Sequence, residues 1–147
     1  MLSKLPRWVG TGSFLLAFAA GSVNVFVLNS VIHQAATHHS GTATNMALAL
    51  SRGDIALFMH FFLTITAFVA GSTLSGFIIR DSHLKLGRRY GVSLLIESAA
   101  ILAAWAVFDR GPFIGLLLLS AASGLQNALA TTYSGAVVRT THLTGIF

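Results

Sequence analysis

Cysteine is absent from these 147 residues, and charge is scarce. Without cysteine there is no disulfide frame and no thiolate metal site. Charged residues make up 9% of the chain, where a soluble domain carries about a quarter. Acidic residues number four. Proline occurs only twice, so long helices can run uninterrupted. What is present is apolar: 54% of the chain is hydrophobic and the mean hydropathy is +0.78. A chain this short has too little interior to hide so much apolar surface from water. The apolar residues come in runs of about twenty, the length that crosses a bilayer as a helix. The expected class is an all-α integral membrane protein with the lipid bilayer as its first partner.

The net charge of +5 and the pI of about 10.9 do not indicate nucleic acid. The basic residues sit in short stretches between apolar runs, as topology signals do. Residues 1–7 form a basic leader, and Trp8 stands where an interfacial aromatic belongs. Lys4, Arg7 and the Ala17-Phe18-Ala19 segment imitate a cleavable signal peptide. The apolar pattern nevertheless continues through Val23–Leu28, so the first segment is expected to be a true span. Four spans are predicted at about 8–34, 55–79, 90–108 and 113–138, in a single transmembrane domain over residues 1–147. Residues 35–53 form a polar-to-amphipathic connection. Its Met46–Leu50 portion reads as a re-entrant or interfacial half-helix capped by Ser40 or Thr42. Placing the N-terminus in the cytoplasm of a bacterial inner membrane puts seven Lys and Arg inside and two, Arg52 and Arg110, outside. The positive-inside rule favours that orientation.

The most informative stretch is Gly21–Asn45. It is an apolar run interrupted by Gly21 and Asn24, then closed by Thr37-His38-His39-Ser40-Gly41-Thr42. A shortened echo returns as Gly124-Leu125-Gln126-Asn127 and then Thr141-His142-Leu143-Thr144-Gly145. Three spans separate the start of one copy from the start of the next, so the copies are expected to run antiparallel. Residues 8–111 would form a three-helix unit, and 112–147 the start of an inverted-topology repeat, as in many secondary transporters. Asn24 and Asn127 each lie about fifteen residues into their spans, near the midplane at about 1.5 Å per residue. Gly21 is expected to face Gly124, with Asn24 and Asn127 meeting. The small-residue stripe Ala67-Gly71-Ser75 would then be left facing lipid or a second copy of the chain, making a homo-oligomer possible.

These motifs resemble the YoaK-type family of bacterial inner-membrane proteins of unknown function. That family's pattern is Gly-x-x-Asn in the first span, then a Thr-His-x-Thr-Gly-Asn-like cluster, with both recurring later. Here Ser40-Gly41-Thr42 replaces Thr-Gly-Asn. The resemblance covers nearly the whole chain, which looks like a C-terminally truncated member. It implies no activity, because the family has none established.

The amides of Asn24, Gln126 and Asn127 at membrane depth either line a polar site or join helices by hydrogen bonds. The duplicated pattern favours a substrate site built from Asn24, Gln126, Asn127, Gly21, Gly124, Thr37, His38, Ser40 and Gly41. Glu97 is the single acidic residue inside a span and the candidate for proton coupling. His33, His38, His39 and His60 lack the spacing of a helical metal site, so no metal or other cofactor is expected. Trp8, Tyr90 and Trp105 fit interfacial belts. The expected function is passive or proton-coupled movement of a small solute. The alternatives are a non-transporting scaffold or accessory subunit, and an intramembrane enzyme using Glu97 and histidines. The enzyme would need acid, base or metal residues converging at one depth.

Overall fold

The computed structural model describes residues 7–79 and 88–133. They form five helices: α1 (Arg7–Leu28), α2 (His39–Ser51), α3 (Ile55–Ile79), α4 (Arg88–Phe108) and α5 (Pro112–Tyr133). Four of these, all but α2, are long and apolar enough to cross a membrane. The chain is a multi-pass helical membrane protein. Residues 134–138 of the expected fourth span, most of the basic loop after α3 and the Thr141–Gly145 motif lie outside the described residues.

The packing is inverted relative to a soluble domain. Phe14, Phe18, Phe77, Leu95 and Trp105 point outward, each more than 65% exposed, which suits a lipid solvent. Thr64, Ser75, Ser93, Ser120 and Gln126 are buried between helices. Small polar side chains let helices approach where lipid gives no hydrophobic drive for association. A separate apolar cluster gathers at one end. There Val27 of α1, Ala36 of the following loop, Ala104 and Phe108 of α4, and Leu116 and Leu119 of α5 close on one another.

The principal contact is between α3 and α5. Gly71 of α3 lies so close to α5 that a Cβ there would overlap the Ala121 carbonyl oxygen at 1.9 Å. Reciprocally, a Cβ on Gly124 would sit 2.0 Å from the Phe68 carbonyl oxygen. Ser72 Oγ donates to the Gly124 carbonyl at 3.0 Å. The reciprocity defines a parallel pair with Gly71 level with Gly124. His60 keeps the same register, its ring 4.5 Å from that of Phe113.

This crossing corrects two expectations. Gly124 faces α3 rather than Gly21, which has open space where its Cβ would be. The stripe at Gly71 and Ser75 is buried against α5 rather than left for lipid or a second copy. The sequence displays both small-residue stripes, but their spacing is the same whichever helices they join.

The first span is shorter than 8–34 because α1 ends at Leu28. Backbone N–H groups of Asn29 and Ser30 reach the Val25 and Val27 carbonyls, and polar side chains add further bonds to the last turn. Asn29 Nδ2 donates to the Val25 carbonyl at 2.9 Å, and Ser30 Oγ to that of Val27 at 2.6 Å. His33, in the left-handed region at φ +50°, has Nδ1 3.0 Å from the Leu28 carbonyl. That carbonyl only accepts, so Nδ1 carries a proton. The turn from α2 to α3 is equally well closed. Gly53 at φ +71° lets its N–H reach the Leu50 carbonyl, and Asp54 N–H reaches that of Ala49. Asp54 Oδ1 then caps α3 by accepting from Leu57 N–H at 3.0 Å.

Replacing Gly71 or Gly124 with valine should destabilise the protein by about 1–3 kcal/mol or more, because the obstructing atoms are backbone. Gly21→Ala, where nothing is near, should leave the thermal midpoint in detergent unchanged. Equal midpoints for all three variants would refute the glycine crossing.

Candidate functional site

The site is built where α1 stops and α2 begins. At 13 residues, α2 is about 20 Å long, short of the ~30 Å needed to cross. It runs back along α3 from the Arg52–Asp54 turn. Its first residue, His39, reaches Phe68, with ring centroids 4.2 Å apart. Phe68 is thirteen residues into α3, about 20 Å from that helix's start. The N-terminus of α2 therefore ends at about the middle of the longest span. The half-helix expected at Met46–Leu50 is real but begins seven residues earlier. The Ser, Gly, Thr and Asn of its first turns blur the apolar pattern. Neither Ser40 nor Thr42 caps it. Residue His38 takes the N-cap position without a side-chain cap bond. Thr42 Oγ1 and Thr44 Oγ instead turn back to the His38 and Ser40 carbonyls.

Asn24 holds the loop that joins the two helices. Its Nδ2 donates to Thr37 Oγ1, and its Oδ1 accepts from Thr37 N–H at 3.0 Å. Both residues are buried. The two polar elements paired in the sequence thus bind each other, and Asn24 has both ends of its amide engaged. Ala36, next to Thr37, is fully buried in the apolar cluster.

Below this clasp lies a groove of about 570 Å³ between the loop, α2 and the start of α3. Its polar lining is His33, Gln34, His38, Thr42, Asn45 and His60, and Gly41 opens it on the α2 side. His60 Nε2 lies 2.8 Å from Gln34 Oε1 and donates to it. Gln34 Nε2 is buried with no partner among the described residues. No Asp, Glu, Lys or Arg lines the groove. Among the described residues no group of three His, Asp or Glu is arranged to hold a metal.

The residues expected to share one site are distributed over several. His38 and Gly41 line the groove, while Ser40 is exposed outside it. Gln126 Nε2 donates to the Leu16 carbonyl at 2.8 Å, tying α5 to α1. Gly124 is consumed by the α3 crossing, and Gly21 is exposed. Asn127 is half-buried on α5, its carbonyl accepting from Thr131 Oγ1 at 2.7 Å. Asn24 and Asn127 do not meet. Gln34, Thr42, Asn45, His33 and His60 line the groove although they were not among the expected substrate-site residues. For the first four the one signal was polarity clustered after an interrupted span.

His39 is half-buried against Phe68, and neither ring nitrogen has a hydrogen-bond partner among the described residues. Burial pushes its pKa down to about 4. The Ala36 carbonyl opposes this without forming a well-aligned bond, and neighbouring His38 adds slightly to the lowering. Residue His39 is neutral at pH 7.

Four spans, one half-helix ending at mid-depth and an uncharged polar groove beside it define a multi-pass membrane protein whose first span is followed by a half-helix. The chain belongs to the family DUF1275, described as a protein of unknown function, whose model matches residues 12–147. No curated protein and no solved structure matches it.

Asn24→Ala strands the buried Thr37 N–H and should cost about 1–3 kcal/mol. A cysteine at Ala36, silent toward thiol reagents in the parent chain, should become reactive in the Asn24→Ala background. Continued silence would show that the clasp does not hold the loop.

The unfolded chain binds a proton at His39 more readily than the folded one, so stability from this residue is present above about pH 6.5 and lost as pH falls through 4. The thermal midpoint should drop between pH 7 and pH 4.5 by more in the parent than in His39→Phe, which keeps the ring contact. Equal drops would refute the assignment.

Proposed function

We propose that this protein moves a small polar solute across a bacterial inner membrane, with its N-terminus in the cytoplasm and the solute site in the groove between loop 29–38, α2 and α3. The observation that carries the reading is the uncapped N-terminus of α2 at mid-membrane depth beside that groove. In transporter folds, half-helix ends of this kind are where substrates bind, because free N–H groups and the positive end of the helix dipole face the cavity. His33, Gln34, Asn45 and His60 supply neutral donors and acceptors without a fixed charge. That chemistry suits an uncharged solute, or an anion held by the dipole.

Asn24 and Thr37 act in this reading as the strut that holds the loop between α1 and α2 in place, and His38 and Gly41 contact solute. The excess of Lys and Arg in the cytoplasmic stretches supports the orientation. The paired Gly-x-x-Asn motifs support both the YoaK-type kinship and a second, inverted unit beginning at α5. Such a unit gives the protein a symmetric partner for alternating access. A scaffold has no need of a polar groove reaching mid-depth.

The chain's lack of cysteine allows a test that does not require the solute's identity. A single cysteine at Asn45 should react with a membrane-impermeant thiol reagent from either side of oriented vesicles, because a carrier exposes its site alternately. Labelling from one side alone would refute transport through the groove.

A further inference from the structure

A second polar space lies inside the bundle where α1, α4 and α5 meet, and it shares no lining residue with the groove. It is a cavity of about 10 Å³, room for the centre of about one water molecule. Its walls are mostly small or apolar, and its polar groups are Glu97, Ser123 and Gln126. Glu97 is only 6% exposed, and its Oε2 has no hydrogen-bond partner among the described residues. One N–H of the Gln126 amide goes to the Leu16 carbonyl, which leaves the second N–H and Oε1 to face other groups. The space holds no cationic side chain, only one hydroxyl and one amide beside the carboxylate.

An isolated carboxylate cannot stay ionised in such surroundings. It must acquire a cation, acquire water, or take up a proton. Among the described residues the other titratable group that senses Glu97 is Tyr90, two turns earlier on α4. The elements packed against Glu97 present Ala19, Ala20 and Val23 from α1, and Leu119, Ala122, Ser123 and Gln126 from α5, none of them charged. A metal cation needs a full shell of oxygens, and one carboxylate, one amide oxygen and one hydroxyl around a space for one water do not provide it. A proton needs none. It converts the carboxylate into a carboxylic acid whose O–H can donate to Gln126 Oε1, Ser123 Oγ or an enclosed water.

We propose that Glu97, Ser123 and Gln126 form a proton-binding site at the α1–α4–α5 seam, and that its occupancy sets how firmly α1 docks. The seam is the weak part of the fold. Contact between α1 and α5 is slight beside that of α3 with α5 or α4 with α5, and the Gln126–Leu16 bond joins the two helices. Loss of the proton leaves a charge that only water can stabilise, and water enters this space when α1 moves outward. The site stands independently of solute binding in the groove, because Glu97 lies on α4, which contributes nothing to the groove, and the two spaces share no lining residue.

The test uses cysteines at Ala19 and Ala122, which face the cavity from α1 and α5 in an otherwise cysteine-free chain. Oxidative cross-linking is compared between this background and the same background with Glu97→Gln, a fixed mimic of the protonated acid. Because thiol oxidation itself depends on pH, the ratio of the two is read. The ratio should be near one at acid pH and fall several-fold at alkaline pH. A ratio that does not change with pH overturns the proposal. Recovery of cross-linking at alkaline pH on adding sodium also overturns it, by showing that the occupant is a metal ion. Infrared difference spectra of the parent protein serve if Glu97→Gln fails to fold. A carboxylic C=O band that disappears on alkalisation is expected, and absence of that band at every pH refutes proton binding.

Discussion

The close crossing of α3 and α5 at Gly71 and Gly124 sets the positions of everything else. Two helices in lipid gain nothing from hiding apolar surface from each other, so their association depends on how closely their backbones fit. At this crossing the space a methyl group would need is already filled by a carbonyl oxygen on each side. The Ser72 bond to the Gly124 carbonyl adds direction to the contact. The parallel register this sets carries His60 to Phe113 at one end of the pair. It thereby places the groove's α3 wall. Through the tight Arg52–Asp54 turn it also fixes the track along which α2 returns.

The second constraint is that no backbone polar group can be left bare at membrane depth. A span that stops at Leu28 and a half-helix that starts at His39 both release such groups. The chain answers the first break with Asn29, Ser30 and His33, each of which reaches a carbonyl of the last turn of α1. It leaves the second without a side-chain cap. The asymmetry is physically meaningful. Carbonyls closed by side chains make a quiet end, whereas free N–H groups beside a groove keep their attraction for a ligand's acceptors.

Much of the architecture was legible in the sequence. Run length and scarcity of charge gave four spans, because both follow from the thickness and low dielectric of the bilayer. The polar cluster after Asn24 was legible as a site of interruption. Its geometry was not. A Gly-x-x-Asn followed thirteen residues after the Asn by a Thr does not say whether the amide binds a solute or the threonine, and here it binds the threonine. Small-residue stripes on α3 and α5 were visible, but a stripe carries no address, and the pairing with Gly21 failed for that reason. Gln34 and Asn45 escaped notice because a polar residue in a connecting segment looks solvent-facing until the segment is known to dip into the bundle.

The failure of Asn24 and Asn127 to meet has a geometric cause. The Gln126–Leu16 bond and the packing of Val27 among Leu116 and Leu119 make α1 and α5 antiparallel. In that register Asn24 is level with the residue just before Leu119, and Asn127 with Leu15. At 1.5 Å per residue the two amides are about 13 Å apart along the bundle axis. Equivalent residues on antiparallel helices coincide only if both lie on the mid-plane between them, and a displacement of a few residues from that plane is doubled. The first copy of the motif consequently lies beside the loop after α1, where its amide pins that loop. The second lies beside Glu97, where Gln126 borders the buried carboxylate. One short motif, placed twice in opposite directions, comes to serve two different polar environments.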